Sequence, residues 1–124
     1  MTGVATPSMM ALANRTTSGN SPAERVPTME PMPYVGAPVQ LQVALTLAAL
    51  AGGSSPTLAA EIQWSNDGTN WFSASPADTL PTLSAVGAVA SKEATVKAPY
   101  WRVNYTVTGT PTTCQFQVDA HYSA

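Results

Sequence analysis

Charge is scarce in this chain. Of its 124 residues, five are Lys or Arg, seven are Asp or Glu and one is His, a charged share of 10% and a net charge of −2. An average soluble protein carries roughly 25%. Arg15, Arg25, Lys92, Lys97 and Arg102 form no run. The basic face with which a nucleic-acid binder neutralises phosphates is therefore missing, and no nucleic-acid partner is expected. A single cysteine, Cys114, rules out an intrachain disulfide and any zinc site built from cysteines. No apolar run reaches the roughly 18 residues that span a bilayer as a helix, so no membrane partner is expected. Met1 to Ala13 has no basic stretch ahead of its apolar residues, which does not fit a secretory signal. Assembly in a cytoplasm is the expectation.

Catalytic chemistry is as thinly provided. An active site needs a base, an acid or nucleophile, or metal ligands that converge. His121 is the only histidine and stands three residues from the end. Glu61, Asp67, Asp78, Glu93 and Asp119 are scattered, with no paired motif. Asp119 and His121, two apart on one strand face, admit a weak metal or pH-sensitive contact, but two solvated polar residues are the better reading. Asn66-Asp67-Gly68-Thr69-Asn70 is rich in oxygens yet lacks the 12-residue loop and closing Glu of a calcium hand, so a plain turn is favoured. Gly52-Gly53-Ser54-Ser55 has no lysine for a phosphate loop. Asn14-Arg15-Thr16 and Asn104-Tyr105-Thr106 match glycan acceptors, which carry weight only in a secreted chain. No catalytic residue, cofactor, metal or small-molecule substrate is expected.

What the chain does have is unevenly distributed. Six prolines and all five methionines fall in the first 38 residues, and all three tryptophans fall after them. This composition divides the chain into an extended N-terminal arm, residues 1–38, and a β-domain, residues 39–124. Prolines 22, 27, 31, 33 and 38 keep the second half of the arm extended. Thr2 to Ala13 admits a short helical turn presenting Met9, Met10 and Leu12. With Val26, Met29, Met32, Tyr34 and Val35 these are the candidate anchors to a partner, methionine being well suited to irregular grooves. An arm of this kind has little to fold against in its own chain and is expected to lie on a neighbouring subunit. Its removal, residues 1–36, is expected to leave a folded domain.

Beyond the arm the pattern is that of strands. Val39, Leu41, Val43, Leu45 and Leu47 alternate with polar or small residues, although Leu45 to Leu50 also suits a helix. Leu58, Ala60, Ile62 and Trp64 face inward, and Asp67-Gly68 marks a hairpin that leaves as Trp71-Phe72. Leu80 to Leu83 and Ala85 to Ala90 are weak, an edge or loop. Trp101, Val103, Tyr105 and Val107 alternate in the strongest strand, and Cys114, Phe116, Val118, Ala120 and Tyr122 face one way in the last. Cys114 in that register is a buried inert thiol. Trp64 and Trp101 read as core. Trp71, with Tyr100, is the candidate for stacking on a ligand. Six to eight short strands with turns every 8–12 residues make an all-β chain, an antiparallel β-sandwich of jelly-roll or immunoglobulin-like type.

Ile62-Gln63-Trp64-Ser65-Asn66-Asp67-Gly68-Thr69-Asn70-Trp71 resembles the strand and S-x-D-G-x-x-W hairpin of β-sandwich modules in bacteriophage structural proteins. Ala98-Pro99-Tyr100-Trp101-Arg102-Val103-Asn104-Tyr105-Thr106-Val107-Thr108-Gly109 is similar to the strand that accompanies it. The likeness covers about residues 40–122. It implies a non-enzymatic virion component, first a capsid decoration (cement) protein on the outer head of a tailed phage. Such a protein would be a homotrimer with the major capsid protein as its partner, its arm clamping neighbouring capsomers. A tail- or fibre-associated module that binds carbohydrate or a receptor is the alternative. The arm is no part of the likeness, so its role rests on its own composition.

Overall fold

A computed structural model describes residues 8–26 and 40–123. These residues contain strands and no helix: β1 (Ser8–Asn14), β2 (Gly19–Asn20), β3 (Glu24–Arg25), β4 (Gln40–Ala51), β5 (Thr57–Ser65), β6 (Trp71–Thr79), β7 (Val89–Thr95), β8 (Tyr100–Thr108) and β9 (Thr113–Ser123). Two antiparallel sheets pack face to face as a β-sandwich. Sheet A has the order β1-β9-β4-β7, and sheet B the order β2-β8-β5-β6, with β3 also paired to β8. β2 and β3 thus form one interrupted strand beside β8, giving each sheet four positions. With β2 and β3 counted as one strand, the chain changes sheet at every connection except the β5–β6 hairpin. This strand order is the double Greek key of an eight-stranded jelly roll, which decides between the two sandwich types open to the sequence.

The core follows from the alternation. Leu41, Val43, Leu45 and Leu47 of β4 are buried opposite Val118, Ala120 and Tyr122 of β9 and Leu58, Ile62 and Trp64 of β5. Where alternation fails at Ala48-Ala49-Leu50, the chain stays in strand and takes up the extra residue as an irregularity between Leu47 and Ala49. That bulge shifts the register by one, so Leu50 pairs with Cys114 and packs on the core. The helix that the same residues admit is therefore absent. Cys114 is fully buried, and burial pushes its thiol above the usual range.

Polar groups inside this core have partners. The Trp101 indole N–H donates to the Tyr122 hydroxyl at 2.8 Å, with the rings edge to face at 6.3 Å. The Trp64 indole N–H donates to Asp78 Oδ2 at 2.8 Å, and Lys97 Nζ reaches the same oxygen at 2.9 Å. Asp78 gets there through a large irregularity in β6: Ser73 pairs with Gln63, while Asp78 pairs with Ile62. Leu80 and Leu83, weak as a strand in sequence, are buried core residues on an irregular path, with a single bridge from Leu83 to Leu58. β7 fills its side of sheet A with Ala90 and Ala94 and carries Lys92 in the same inward register, a charge that discourages further strands from adding at that edge.

The N-terminal residues differ most from expectation. Residues 8–14 are strand and not a helical turn, because pairing with β9 satisfies their backbone and seats Met10 in the core. Residues 8–26 lie extended along their own sandwich and complete both sheets. Arg15 fixes the crossing between sheets: it donates to Phe116 O at 2.9 Å and Ala11 O at 2.9 Å, and its guanidinium sits 5.0 Å over the Phe116 ring. Asn14 Oδ1 accepts the Cys114 N–H at 2.7 Å, Ser18 Oγ that of Val107 at 2.9 Å, and Ser21 Oγ that of Val103 at 2.7 Å. Gly19 lets the strand pass the Tyr105 hydroxyl, which would lie 2.8 Å from a Cβ there. Val26, buried, closes the segment with its N–H on Pro99 O at 2.7 Å.

Candidate functional site

One end of the sandwich brings together the two candidate stacking residues, Trp71 and Tyr100. β5 finishes and β6 begins there, and Ser65 pairs with both Trp71 and Tyr100. Arg25 pairs with Tyr100 in turn. Arg25, Tyr100, Ser65 and Trp71 therefore form one row across four strands of the outer face of sheet B. The next row holds Arg102, Gln63 and Ser73, and the one after it Asn20, Asn104, Glu61 and Thr79.

The hairpin at this end is built by the motif residues themselves. Ser65 is fully buried, and its Oγ accepts the Gly68 N–H at 2.8 Å while donating to Asp67 Oδ1 at 3.0 Å. Asp67 Oδ1 also accepts the N–H groups of Thr69 and Asn70, both at 2.8 Å, and Oδ2 accepts the Asn70 amide at 2.7 Å. Gly68, at φ +80°, supplies the left-handed turn and lies against the Tyr100 ring. The carboxylate is thus surrounded by donors, the arrangement of a turn cap and not of a cation cage. The Asn70 and Thr69 backbone N–H groups, then the Asn70 and Ser65 side chains, hold Asp67 well below the usual carboxylate range.

A pH dependence follows. A folded-state pKa below the unfolded value stabilises fully above the unfolded value and is lost as pH falls through the folded one. Asp67→Asn is expected to lower Tm at pH 7, and the gap from the parent to narrow steadily below about pH 4. Thermal melts of both proteins from pH 7 to pH 2 test this; a gap that stays constant across the range contradicts it.

Both candidate stacking residues carry an arginine. The Arg102 guanidinium lies 4.4 Å over the Trp71 ring, and Arg102 Nε donates to Gln63 Oε1 at 2.9 Å. Arg25 lies 5.6 Å over the Tyr100 ring and donates to its hydroxyl at 3.3 Å. Tyr100 is held between Gly68 and Arg25, and both aromatic residues are half-buried. The sequence singled out the rings, and the arginines above them were missed. Their signal was register: Arg102 shares a face with Gln63 and stands diagonal to Trp71.

The candidate anchors divide. Met10 and Val26 are buried in the core of their own subunit at 7% and 6% exposure, which removes them from any partner surface. Leu12 is 52% exposed on β1, the edge of sheet A. Met9 is a residue of β1. Met29, Met32, Tyr34 and Val35 lie outside the described residues. The segment that holds them is bounded on both sides: Val26 is bonded to Pro99, and Gln40 pairs with Thr95 and Ser123. Both boundaries adjoin the β7–β8 connection, at the same end as the 66–70 hairpin.

Asp119 and His121 share the outer face of sheet A, opposite Ala44 and Gln42. With Ala120 these residues line a shallow depression of about 260 Å³. Gln117 donates to Asp119 Oδ2 at 3.1 Å. Among the described residues, no three of His, Cys, Asp and Glu come together as a metal site. The chain matches no known family and no curated protein.

Proposed function

We propose that this chain is a non-enzymatic structural protein of a tailed-phage virion, a decoration protein that sits on the outer head and clamps neighbouring capsomers. The observation that carries the reading is where the residues flanking segment 27–39 are held. With β1–β3 spent on their own sandwich, the Met- and Pro-rich stretch joins Val26, held on Pro99, to Gln40, paired with Thr95 and Ser123, so both of its ends adjoin the β7–β8 connection. Met29, Met32, Tyr34 and Val35 are then attachment residues carried on a rigid base. The jelly roll also serves in viral capsid domains, a likeness of architecture alone. The low charge of the chain suits a surface that is covered on assembly. The major capsid protein is the partner, and a symmetric oligomer such as a trimer multiplies a modest contact per subunit.

The test replaces Met29, Met32, Tyr34 and Val35 together by Ser and measures co-sedimentation with undecorated heads of the phage that encodes the chain. Each buried anchor contributes about 1.5–3 kcal/mol, so losing even two weakens binding more than about 100-fold. The Tm of the variant is expected to match that of the parent. Undiminished binding by the variant, or no binding by the full chain, overturns the reading.

A further inference from the structure

We infer that the outer face of sheet B is a binding site for a short acidic saccharide, one that carries carboxylate groups on a hydroxyl-rich chain. The chain has five basic residues. Arg15 is used on Phe116, Lys97 on Asp78, and Lys92 stands in inward register on β7. The remaining two, Arg25 and Arg102, share one face, and each guanidinium lies over an aromatic ring, Arg25 at 5.6 Å and Arg102 at 4.4 Å. In a chain with 10% charged residues this brings two of the five cations together on one sheet face, neither with a carboxylate partner among the described residues.

The geometry suits carboxylate. Arg102 is fixed twice, by the Trp71 ring below it and by Gln63 on Nε. Its two terminal nitrogens are left as a planar fork, the arrangement that takes a carboxylate by two parallel hydrogen bonds. Fixing the fork beforehand lowers the cost of binding. Arg25 is held over Tyr100, two strands from Trp71. Neighbouring strands lie about 4.8 Å apart, so the two cationic platforms are separated by roughly 10 Å. That separation calls for two anionic groups along an extended ligand.

The rest of the face selects among anions. Gln63, Asn104, Asn20 and Ser73 offer neutral hydrogen-bonding groups in the adjoining rows, and Asn104 already bonds Asn20 at 2.8 Å. Glu61, in the centre of the third row, accepts hydrogen bonds from hydroxyls and repels a dense line of phosphates. Two cations with one carboxylate among them are too few for the phosphate neutralisation that carries nucleic-acid binding. A uronic-acid type of chain satisfies both requirements: widely spaced carboxylates for Arg25 and Arg102, and hydroxyls for Glu61 and the amides. None of the residues named for this site belongs to segment 27–39, so its test is independent of head attachment.

The test titrates the full chain with an oligogalacturonate hexamer, with neutral maltohexaose and with a single-stranded DNA dodecamer, by calorimetry at physiological salt. Saturable binding of the oligogalacturonate is expected, with no binding of maltohexaose and weaker binding of the DNA. Arg102→Lys keeps the charge and loses the fork, and Trp71→Ala removes the platform. Each is expected to weaken binding about tenfold or more with Tm within a few degrees of the parent. Absence of oligogalacturonate binding, equal binding of the neutral or DNA oligomer, or full binding by both variants overturns the inference. Should Trp71→Ala fail to fold, Arg102→Lys alone decides.

Discussion

A chain that begins at residue 27 is expected to lose its cooperative fold. The deletion removes β1, β2 and β3, and with them one edge strand from each sheet. Met10 and Val26 leave the core, worth about 1.5–3 kcal/mol each in lost burial. The loss extends beyond those two side chains. The amides of Val103, Val107 and Cys114 lose the side-chain oxygens of Ser21, Ser18 and Asn14, and the buried ring of Phe116 loses the cover of Arg15. Small domains have only about 5–15 kcal/mol of stability in total. Near-UV circular dichroism and urea unfolding of residues 27–124 against the full chain test this. A midpoint equal to that of the full chain contradicts it. Ser21→Ala is the graded version: it leaves one buried N–H unsatisfied and is expected to cost about 1–3 kcal/mol.

The second large effect is expected at Trp64. Its ring is fully buried between the sheets, and its N–H satisfies the buried carboxylate of Asp78 beside Lys97. Trp64→Ala is expected to cost about 3–5 kcal/mol from packing alone, and more because Asp78 loses a donor. Trp64→Phe separates the two contributions: most of the ring stays, and the lost hydrogen bond leaves a deficit of about 1–3 kcal/mol. Denaturant titration measures both. Equal losses for Ala and Phe would mean that the hydrogen bond, and not packing, dominates this site.

The contrast between the two halves of the chain shows what a sequence displays and what it conceals. β4, β5, β8 and β9 were legible because each buries one face against a full partner sheet, which imposes strict two-residue alternation on Leu41–Leu47, Leu58–Trp64, Trp101–Tyr105 and Cys114–Tyr122. β1 to β3 were not legible. Among the described side chains each supplies at most one to the core, and their hold comes from Asn14, Arg15, Ser18 and Ser21, residues that read as a polar hinge. A composition boundary at residue 38 was visible, but the sandwich it appeared to precede takes its first strands from before it. β6 was hidden for another reason: Ala74 to Ala77 depart from the ladder, so no alternation survives to be read. Strand order, and with it the jelly roll, depends on pairings between residues as distant as Asn14 and Gln115, which no local pattern records.

The site was legible in the same partial way. Ser65, Asp67, Gly68 and Asn70 spell a turn, and the structure gives each letter its bond. Trp71 and Tyr100 stood out as aromatic residues beside that turn. That each lies under an arginine is a matter of cross-strand register, and so became visible only once β3, β8, β5 and β6 were placed side by side.

If the chain decorates a phage head as proposed, it is attached through the segment between Val26 and Gln40. A cryo-EM map of virions from the proposed phage tests that claim most directly. Jelly-roll density is expected on the outer shell, with residues 8–26 on their own sandwich and Met29, Met32, Tyr34 and Val35 against the capsid lattice. Density for this chain only in the tail or fibres, or on the head with segment 27–39 turned to solvent, contradicts it.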